Sequence, residues 1–226
     1  FGFGLLESSS TPAYALGVTP EYLYLKQAFR FPEDGRMLAP GASVLVVNSA
    51  INHRNNNAPQ EYDLSASDYE VKDTQGRTVN NPSTPALPLI FTSWAQVSSM
   101  NLVQGGPTSI VIFRAKDATS WTKVHANGKS SGQEYLRMPV SAVLDGVDII
   151  KFSPTNGVDM SSKRLYPTID AGYTHISSAS GWNGEVTYRR AAPTTEGQTR
   201  TKLLDTNNST SDCSTTTSLA PGKFMQ

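Results

Sequence analysis

Cysteine and long apolar runs are nearly absent from this 226-residue sequence. The single cysteine, Cys213, cannot form an internal disulfide, and its serine- and threonine-rich surroundings predict a structural thiol that is buried or half exposed. A bilayer-spanning helix needs about 20 consecutive apolar residues, and no segment approaches that length. We therefore expect a soluble chain. Any membrane anchor is expected outside it, because the sequence has no signal peptide or lipidation motif.

Charge is scarce and balanced. Charged residues make up 17% of the sequence, against about 25% in an average soluble domain. Nineteen basic and nineteen acidic residues give no net charge, which excludes the general electrostatic attraction on which nucleic-acid and anionic-lipid binding depend. The short basic pairs Lys163-Arg164 and Arg189-Arg190 are expected to be solvated strand ends without a function.

Helix-forming sequence is also scarce. Fourteen prolines and seventeen glycines are spread along the chain, and they would interrupt most helices longer than three turns. Serine, threonine and asparagine are plentiful instead. Threonine packs well on a pleated surface and asparagine tolerates tight turns, so this composition favours strands joined by turns.

Short apolar bursts bounded by turn residues predict an all-β sandwich or barrel of roughly eight to eleven strands. The predicted strands include residues 1–4, 22–25, 29–31, 44–47, 69–71, 78–79, 110–113, 147–152 and 186–190. Residues 44–47 are the most apolar and are expected at the centre of the core, buried on both faces. Residues 73–76 predict a hairpin turn, and Asn156-Gly157 predicts another turn.

The remaining segments predict loops within one domain. Residues 53–57 are expected to be an exposed loop, and residues 205–217 a coil rich in serine, threonine and asparagine. A short helix over residues 86–100 is left open. No repeat or long linker divides the chain, so we predict a single elaborated domain over residues 1–226, with a break near residues 82–88 as the alternative.

The run from Phe29 to Val47 resembles the signature hairpin of lamin-tail-like domains. An aromatic strand ends at Pro32, a turn of the form Leu-x-Pro-Gly follows at residues 38–41, and a hydrophobic strand comes next. The resemblance implies an immunoglobulin-like β-sandwich with long loop insertions. The family's opening strand, which ends in an Asn-x-x-Asp-like turn, has no counterpart here. We therefore expect that strand, and an N-terminal part of the full protein, to lie outside this chain.

Further stretches resemble an uncharacterised family of Bacteroidota surface lipoproteins built around such a domain. These stretches are residues 52–53, 63–70, 143–147, 169–173 and 204–209, and the similarity covers most of residues 20–212. It implies a lipid-anchored protein at the outer-membrane surface. The implied partners are transporter and lipoprotein subunits of a nutrient-uptake complex. The family has no known function, so the resemblance gives no catalytic, cofactor-binding or metal-binding residues.

Motifs for catalysis and metal binding are missing from the sequence. His53, His125 and His175 are too far apart for two of them to share a metal from one strand or helix, and we expect them at the surface. There is no Gly-x-Ser-x-Gly elbow, and Cys213 has no nucleophile context. We therefore predict a protein that is not an enzyme and needs no cofactor. A catalytic triad assembled only in the fold stays open.

Residues 205–212 invite comparison with a calcium loop, because oxygen ligands fall at the first, third and fifth positions. The sixth position is Thr210 instead of glycine, and the twelfth is Thr216 instead of glutamate, which excludes the helix-loop-helix calcium motif. A looser calcium site using Asp205 and Asp212 stays an alternative to a coil held by side-chain turns.

Carboxylates are the first candidates for ligand chemistry. Glycoside hydrolysis needs two carboxyl groups that face each other across the bond to be cleaved. Asp145, Asp148 and Asp170 are the candidate acids. The spacing of three between Asp145 and Asp148 puts them on opposite faces of a regular strand, which argues against that pair.

Tryptophans are the second candidates, because flat rings stack on the apolar faces of sugars. Trp94 lies beside Phe91 and is expected in the core. Trp121 and Trp182 have polar, glycine-containing surroundings and are the better candidates for an exposed sugar platform.

These observations favour a non-catalytic binding or assembly module at the cell surface. Such a module would contact a partner protein, a glycan or a peptide through its long loops. A glycan-binding module that uses Trp121 or Trp182 is the second hypothesis. A hydrolase whose acids meet only in the fold is the third.

Overall fold

The computed structural model describes residues 1–6, 21–54, 62–93, 96, 99–102, 107–125, 130–177, 184–193, 197, 199–218 and 220. Within these residues the chain forms thirteen strands and one short α-helix. The strands are β1 (Gly2–Leu6), β2 (Tyr22–Arg30), β3 (Val46–Val47), β4 (Tyr69–Glu70), β5 (Leu89–Thr92), β6 (Thr108–Phe113), β7 (Lys123–His125), β8 (Glu134–Pro139), β9 (Val143–Ile149), β10 (Phe152–Ser153), β11 (Gly157–Val158), β12 (Val186–Arg189) and β13 (Cys213–Thr216), and the helix is α1 (Ser209–Asp212). The all-β prediction is confirmed.

One seven-stranded antiparallel sheet organises the fold. Six of its strands run in the order β7-β8-β2-β1-β6-β9, and β5 pairs with β2. Three two-stranded sheets accompany it, formed by β3 and β4, by β10 and β11, and by β12 and β13. Strand β1 therefore lies between β2 and β6, near the middle of the large sheet.

The absence of a side chain at Gly4 allows β1 to pack closely at this central position. A Cβ atom at Gly4 would lie 2.6 Å from Cδ1 of Leu25, closer than real Cβ contacts allow. Because the site has room for no side chain, the Leu25 side chain can pack directly on the β1 backbone, and Leu25 is fully buried.

Apolar side chains cover both faces of the large sheet. Strand β6 shows the alternation: Val111 and Phe113 pack into one core cluster, which includes Leu23, Leu25, Leu136, Met138, Leu165 and Ile169. Ile110 packs instead against a second cluster, formed by Leu5, Phe29, Tyr69, Val71, Leu87 and Met100. Successive residues of a strand point to opposite faces, so the sheet lies between two apolar layers.

The expectation for residues 44–47 is wrong in position. Only Val46–Val47 forms a strand, which pairs in parallel with Tyr69–Glu70 in a separate two-stranded sheet. Val46 is half buried and packs against the second cluster. The centre of the core is taken by β1, β2 and β6, because strands with neighbours on both edges bury more of their side chains than a two-residue strand can.

Residues 205–217 are not a coil, contrary to expectation. Asn208 accepts a hydrogen bond from the Thr210 amide and caps α1, after which Cys213–Thr216 pairs with Val186–Arg189. The polar sequence hides this strand, because its stability comes from the ladder of hydrogen bonds to β12 and not from an apolar pattern.

The turn predicted at 156–157 is present between β10 and β11, whereas the hairpin predicted around 73–76 is wrong, because residues 69–70 pair with β3 and not with residues 78–79. Gly76 and Gly157 both have positive φ, at 70° each, as the turn signals at 73–76 and 156–157 require. Residues 78–79 form no strand, and Val79 is 65% exposed. The helix considered over residues 86–100 is wrong in its first half, where Leu89–Thr92 forms β5.

Among the described residues, no helix has the length and apolar character needed to cross a bilayer.

Candidate functional site

The connection between β6 and β7 forms one wall of an open groove with a volume of about 550 Å³. The other wall is the link between β8 and β9, and residues 114–117, 120–121, 139 and 141–142 line the space between them. The Arg114 amide donates a 2.9 Å hydrogen bond to the Ala142 carbonyl, which holds the two walls together. The volume lies in the range of small-molecule sites, about 300–1,000 Å³.

Asp117 shapes the first wall. Its Oδ1 accepts hydrogen bonds from the Thr119 amide, at 2.9 Å, and from the Thr119 hydroxyl, at 2.5 Å. These bonds cap a single 3₁₀ turn, Ala118–Ser120, which buries Ala118 and ends at Trp121. The same bonds hold the pKa of Asp117 below its usual range. The sequence Asp-Ala-Thr-Ser thus fixes the backbone that carries the tryptophan.

Trp121 joins the core to the groove. Its ring is tilted by 56° against the ring of Phe113, with 5.3 Å between the centroids. Phe113 is buried in the first core cluster, whereas Trp121 is half buried and lines the groove. A ring held in this way loses little conformational freedom when a ligand stacks on it. Of the three tryptophans, Trp94 and Trp182 lie outside the described residues.

Two cations face the groove without an acidic partner. Arg114 and Lys116 are exposed, and no described residue forms an ion pair with either of them. The Arg114 guanidinium instead lies 4.7 Å from the centre of the Phe1 ring. Asp117 is the acid in the lining, but Thr119 occupies its Oδ1. The positive charge of Arg30 acts on Asp117 too, and this lowers its pKa further.

A second cleft lies beside the same connection and shares Lys116 and Asp117 with the groove. Its volume is about 70 Å³, enough for a couple of water molecules at about 30 Å³ each. Of these two clefts, the groove is the one with room for a ligand larger than water.

Asp148 and Asp170 come together, but in the interior. They are 0% and 1% exposed. The Asp148 amide donates to Oδ2 of Asp170 at 2.9 Å, and Lys163 Nζ donates to Oδ2 of Asp148 at 2.8 Å. Each of the four carboxylate oxygens accepts at least one hydrogen bond, with donors that include Ser209 and Leu165. This arrangement is that of a structural network, because neither acid is open to a substrate.

Asp145 does not join these acids. It lies on β9 with Asp148, but the odd spacing puts the two on opposite faces, and Asp148 is buried while Asp145 is half exposed. Oδ2 of Asp145 forms a 2.7 Å ion pair with Arg189. The three candidate acids therefore do not form a facing pair in the described structure.

A scan against protein families matches residues 39–218 to "Protein of unknown function (DUF4876)". The chain belongs to the DUF4876 family. Among solved structures, this DUF4876 chain is similar to one described as "Crystal structure of a DUF4876 family protein from Bacteroides thetaiotaomicron VPI-5482 at 2.50 A resolution". The TM-score of the match is 0.72. Sequence identity is 24%, and the match covers 94% of this chain and 60% of the other.

The structural match shows a shared fold, since 24% identity carries no more than that. The DUF4876 chain spans less than two thirds of that relative's length, at 60%. A search of curated proteins found no match. Membership of an uncharacterised family is therefore confirmed. The family and structure matches do not test the lamin-tail-like and lipoprotein expectations, which stay predictions.

The two basic pairs of the DUF4876 chain are not simply solvated, contrary to expectation. Lys163 is 3% exposed and donates to Asp148 and to the carbonyls of Asp170 and Gly172. Arg189 is 19% exposed in its side chain and pairs with Asp145 and Asp205. Lys163 is buried and Arg189 is half buried, and each meets carboxylates distant in sequence, a contact that local charge patterning does not reveal.

The loop proposed for calcium is organised around hydrogen-bond donors. Oδ2 of Asp212 accepts from the amides of Thr206 and Asn208, and Oδ1 accepts from the Thr206 hydroxyl. Asp205 pairs with Arg189 at 3.2 Å. Inward-pointing N–H groups repel a cation, so this geometry favours side-chain hydrogen bonds that hold the loop before α1 over a calcium site built from Asp205 and Asp212.

The histidines are dispersed. His53 bonds through Nε2 to the Ser49 carbonyl at 2.9 Å, and His175 stacks on Phe152 with 4.9 Å between centroids. His125 lies in β7. Over the described ranges, no group of three or more histidine, cysteine or acidic side chains could hold a metal ion.

Cys213 is half buried at the start of β13, as predicted. Burial raises the pKa of its thiol, and the nearby Arg189 only partly offsets that effect. A thiol with a raised pKa is a poor nucleophile at neutral pH, which fits a structural role.

Sequence reasoning found Trp121 but missed Arg114 and Lys116 as its neighbours. A local signal was available, because two basic residues lie two positions apart, directly before the capping sequence that ends in Trp121. The opposite wall, with Pro139 and Ser141, had no such signal. Only the pairing of the strands brings it to the groove of the DUF4876 chain.

Proposed function

We propose that this chain is a non-catalytic binding or assembly module. The observation that carries the proposal is the groove beside Trp121, where a ring fixed on the core meets two cations and two serine hydroxyls. Binding sites on β folds lie in loops that a rigid sheet positions. The groove walls have that origin, since one follows β6 and the other joins β8 to β9.

The positions of the three candidate acids also favour a binding role over hydrolysis. Asp148 and Asp170 are buried among donors, and Asp145 is paired with Arg189. A general acid must reach the leaving group, and these carboxyls do not line the groove. Incubation of the protein with a panel of peptides and polysaccharides tests this part of the proposal. Turnover that is lost in Asp145→Asn but kept in Lys151→Ala would overturn it.

We further propose that the module belongs to a lipoprotein at the bacterial outer-membrane surface, with transporter and lipoprotein subunits as partners. The support is the sequence resemblance to Bacteroidota surface lipoproteins and the related fold from Bacteroides thetaiotaomicron. Chemical cross-linking in intact cells followed by purification of the full-length protein provides the test. Recovery of transporter subunits is expected. Recovery of the lipoprotein alone, under conditions that retain known membrane complexes, would contradict the assembly role.

The finer fold assignment as a lamin-tail-like, immunoglobulin-like sandwich is part of the same proposal. Its support is the run from Phe29 to Val47, with the exposed segment 33–43 between β2 and β3. Superposition of an experimental structure on lamin-tail domains, strand by strand, tests it. A different order of the strands equivalent to β2, β3 and β4 would reject the assignment.

Glycan binding is the second candidate function, because Trp121 offers part of its ring to an open, hydroxyl-lined groove. We expect the full-length protein to retain sugars on a glycan array, and Trp121→Ala to lose them. The matched control is Lys151→Ala, an exposed lysine outside the groove. Glycan binding that survives both Trp121→Ala and Trp182→Ala would reject these tryptophans as the sugar-binding platform, and absence of any glycan binding would reject the function.

A further inference from the structure

The lining of the groove combines an aromatic ring with an excess of positive charge. Arg114 and Lys116 supply two cations, and Asp117 supplies one acid whose Oδ1 is held by Thr119. The whole chain, by contrast, has no net charge. Positive charge is thus concentrated where the ring is, and this local excess selects a ligand of opposite charge.

We infer that the Trp121 groove binds acidic sugars, with the sugar ring stacked on Trp121 and its carboxylate held by Arg114 and Lys116. The inference rests on the glycan-binding function proposed above and names the class of glycan. Arginine forms paired hydrogen bonds with carboxylates, and lysine adds a point charge, so the two together suit a uronic or sialic acid.

The positions of the two cations support a shared ligand. Arg114 follows directly after β6 and Lys116 comes two residues later. Both line the groove that Trp121 lines. The Arg114 guanidinium lies 4.7 Å from the centre of the Phe1 ring, and the Trp121 ring packs on Phe113. Because the Trp121 ring is held before the ligand arrives, less entropy is lost on binding.

Sugars fit better than the other anionic ligands. Nucleic acid is disfavoured by the zero net charge. An acidic peptide would satisfy the cations but would not match the ring or the serine hydroxyls of the groove. Ser120 Oγ already donates to the Asp117 carbonyl but can still accept a hydrogen bond, as can Ser141 Oγ. A sugar carries hydroxyls for the serines, an apolar face for the tryptophan and a carboxylate for the cations.

Calorimetric titration with paired oligosaccharides tests the inference. The probes are short galacturonate, glucuronate and sialic-acid oligosaccharides, each offered as the free acid and as its methyl ester, which keeps the sugar skeleton and removes the charge. We expect at least one acid to bind about tenfold or more tightly than its ester. Raising the salt concentration should weaken the binding of the acid and leave the binding of the ester unchanged, because salt screens the interaction between exposed charges.

Variants of the full-length protein assign the effect to residues. Arg114→Gln and Lys116→Ala should each lower the affinity for the acid by about tenfold and leave the ester unchanged. Trp121→Ala should remove the binding of both forms. Lys151→Ala is the control and should bind like the wild type. Thermal unfolding of each variant confirms that the fold is intact.

The outcomes separate the two proposals. Equal affinity for acid and ester overturns the acidic-sugar inference and leaves glycan binding in place. Absence of binding by every probe and on the array overturns both. Tighter binding of an oligoglutamate peptide, or of sulfated sugars with no binding of carboxylated ones, also overturns the inference in favour of those ligands.

Discussion

Nζ of Lys163 lies 2.8 Å from Oδ2 of Asp148, and the two side chains are 3% and 0% exposed. Lys163 also donates to the carbonyls of Asp170 and Gly172, so its three N–H bonds all have acceptors. The pair ties β9 to the segment that precedes β12. Removing one partner of such a buried pair is strongly destabilising, because it leaves an uncompensated charge in the interior.

Lys163→Met is therefore expected to lower the free energy of unfolding by about 3–5 kcal/mol. The variant keeps the apolar stem of the side chain but leaves the Asp148 carboxylate buried without its cation. Urea unfolding followed by circular dichroism measures the difference. The matched control is Lys151→Met, at an exposed position, for which we expect a change within about 0.5 kcal/mol. A loss below 1 kcal/mol for Lys163→Met would contradict the structural role of the pair.

Gly172→Ala should disrupt the packing of α1 against residues 170–173. A Cβ atom there would contact Oδ1 of Asn208 and would lie 2.6 Å from the Thr210 amide nitrogen. We expect a loss of about 1–3 kcal/mol, typical of added atoms in a packed site. Gly35→Ala is the comparison, since Gly35 has a φ of 75° but open space around it. Gly35→Ala should lower the free energy of unfolding by about 1–2 kcal/mol, because alanine is strained at a positive φ even where its side chain has room. Equal melting temperatures for the wild type and Gly172→Ala would show that the α1 contact is loose.

The lowered pKa of the Asp212 carboxyl predicts that the protein loses stability in acid. Burial raises its pKa, but hydrogen bonds from Thr206 and Asn208 outweigh burial and leave the pKa below its usual value. A lowered native pKa stabilises the fold above the unfolded pKa, which is about 3.9, and this contribution is lost as pH falls through the native pKa. Unfolding measured from pH 7 to pH 2 should show Asp212→Asn less stable at neutral pH and converging on the wild type in acid.

The control for this experiment is Asp205→Asn, whose side chain is 53% exposed. It should lower the free energy of unfolding at neutral pH by less than Asp212→Asn does, because the ion pair of Asp205 with Arg189 is partly exposed, and such surface pairs contribute about 0–1 kcal/mol. A gap between Asp212→Asn and the wild type that stays constant down to pH 2 would argue against the lowered pKa of Asp212.

Cys213 should react slowly in the native protein. Burial raises the pKa of its thiol, so little thiolate is present near neutral pH, and alkylation requires the thiolate. We expect iodoacetamide labelling at pH 7.5 to be slow in buffer and fast in denaturant, with mass spectrometry as the readout. The unfolded protein serves as its own control, since it contains no other cysteine. Equal rates in both conditions would show that the thiol is freely accessible.

Several elements could be predicted from the sequence because their signals are local. The bursts at 22–25 and 110–113 alternate or cluster apolar residues and became β2 and β6. Asn156-Gly157 gave the turn between β10 and β11, where Gly157 has a φ of 70°. Trp121 could be singled out because its sequence surroundings are polar. Each of these signals depends on residues only a few positions apart.

Other features have no local signal. Strand β13 consists of Cys, Ser, Thr and Thr, and it forms only because β12 provides a partner for its backbone. Residues 44–47 are apolar enough for a central strand, yet only two of them pair, in a separate two-stranded sheet. The middle of the large sheet is occupied by β1, which pairs with β2 and β6.

The sequence by itself determined that this protein is a β fold with neutral charge, because strand propensity, turn residues and composition act over short distances. Tertiary structure decided where charge is buried and where it faces solvent: Lys163 meets Asp148 in the interior, while Arg114 and Lys116 remain exposed beside Trp121. The physical reason is that burial and electrostatic pairing depend on distance in space, and residues 114–121 approach residues 139–142 only after the sheet has formed.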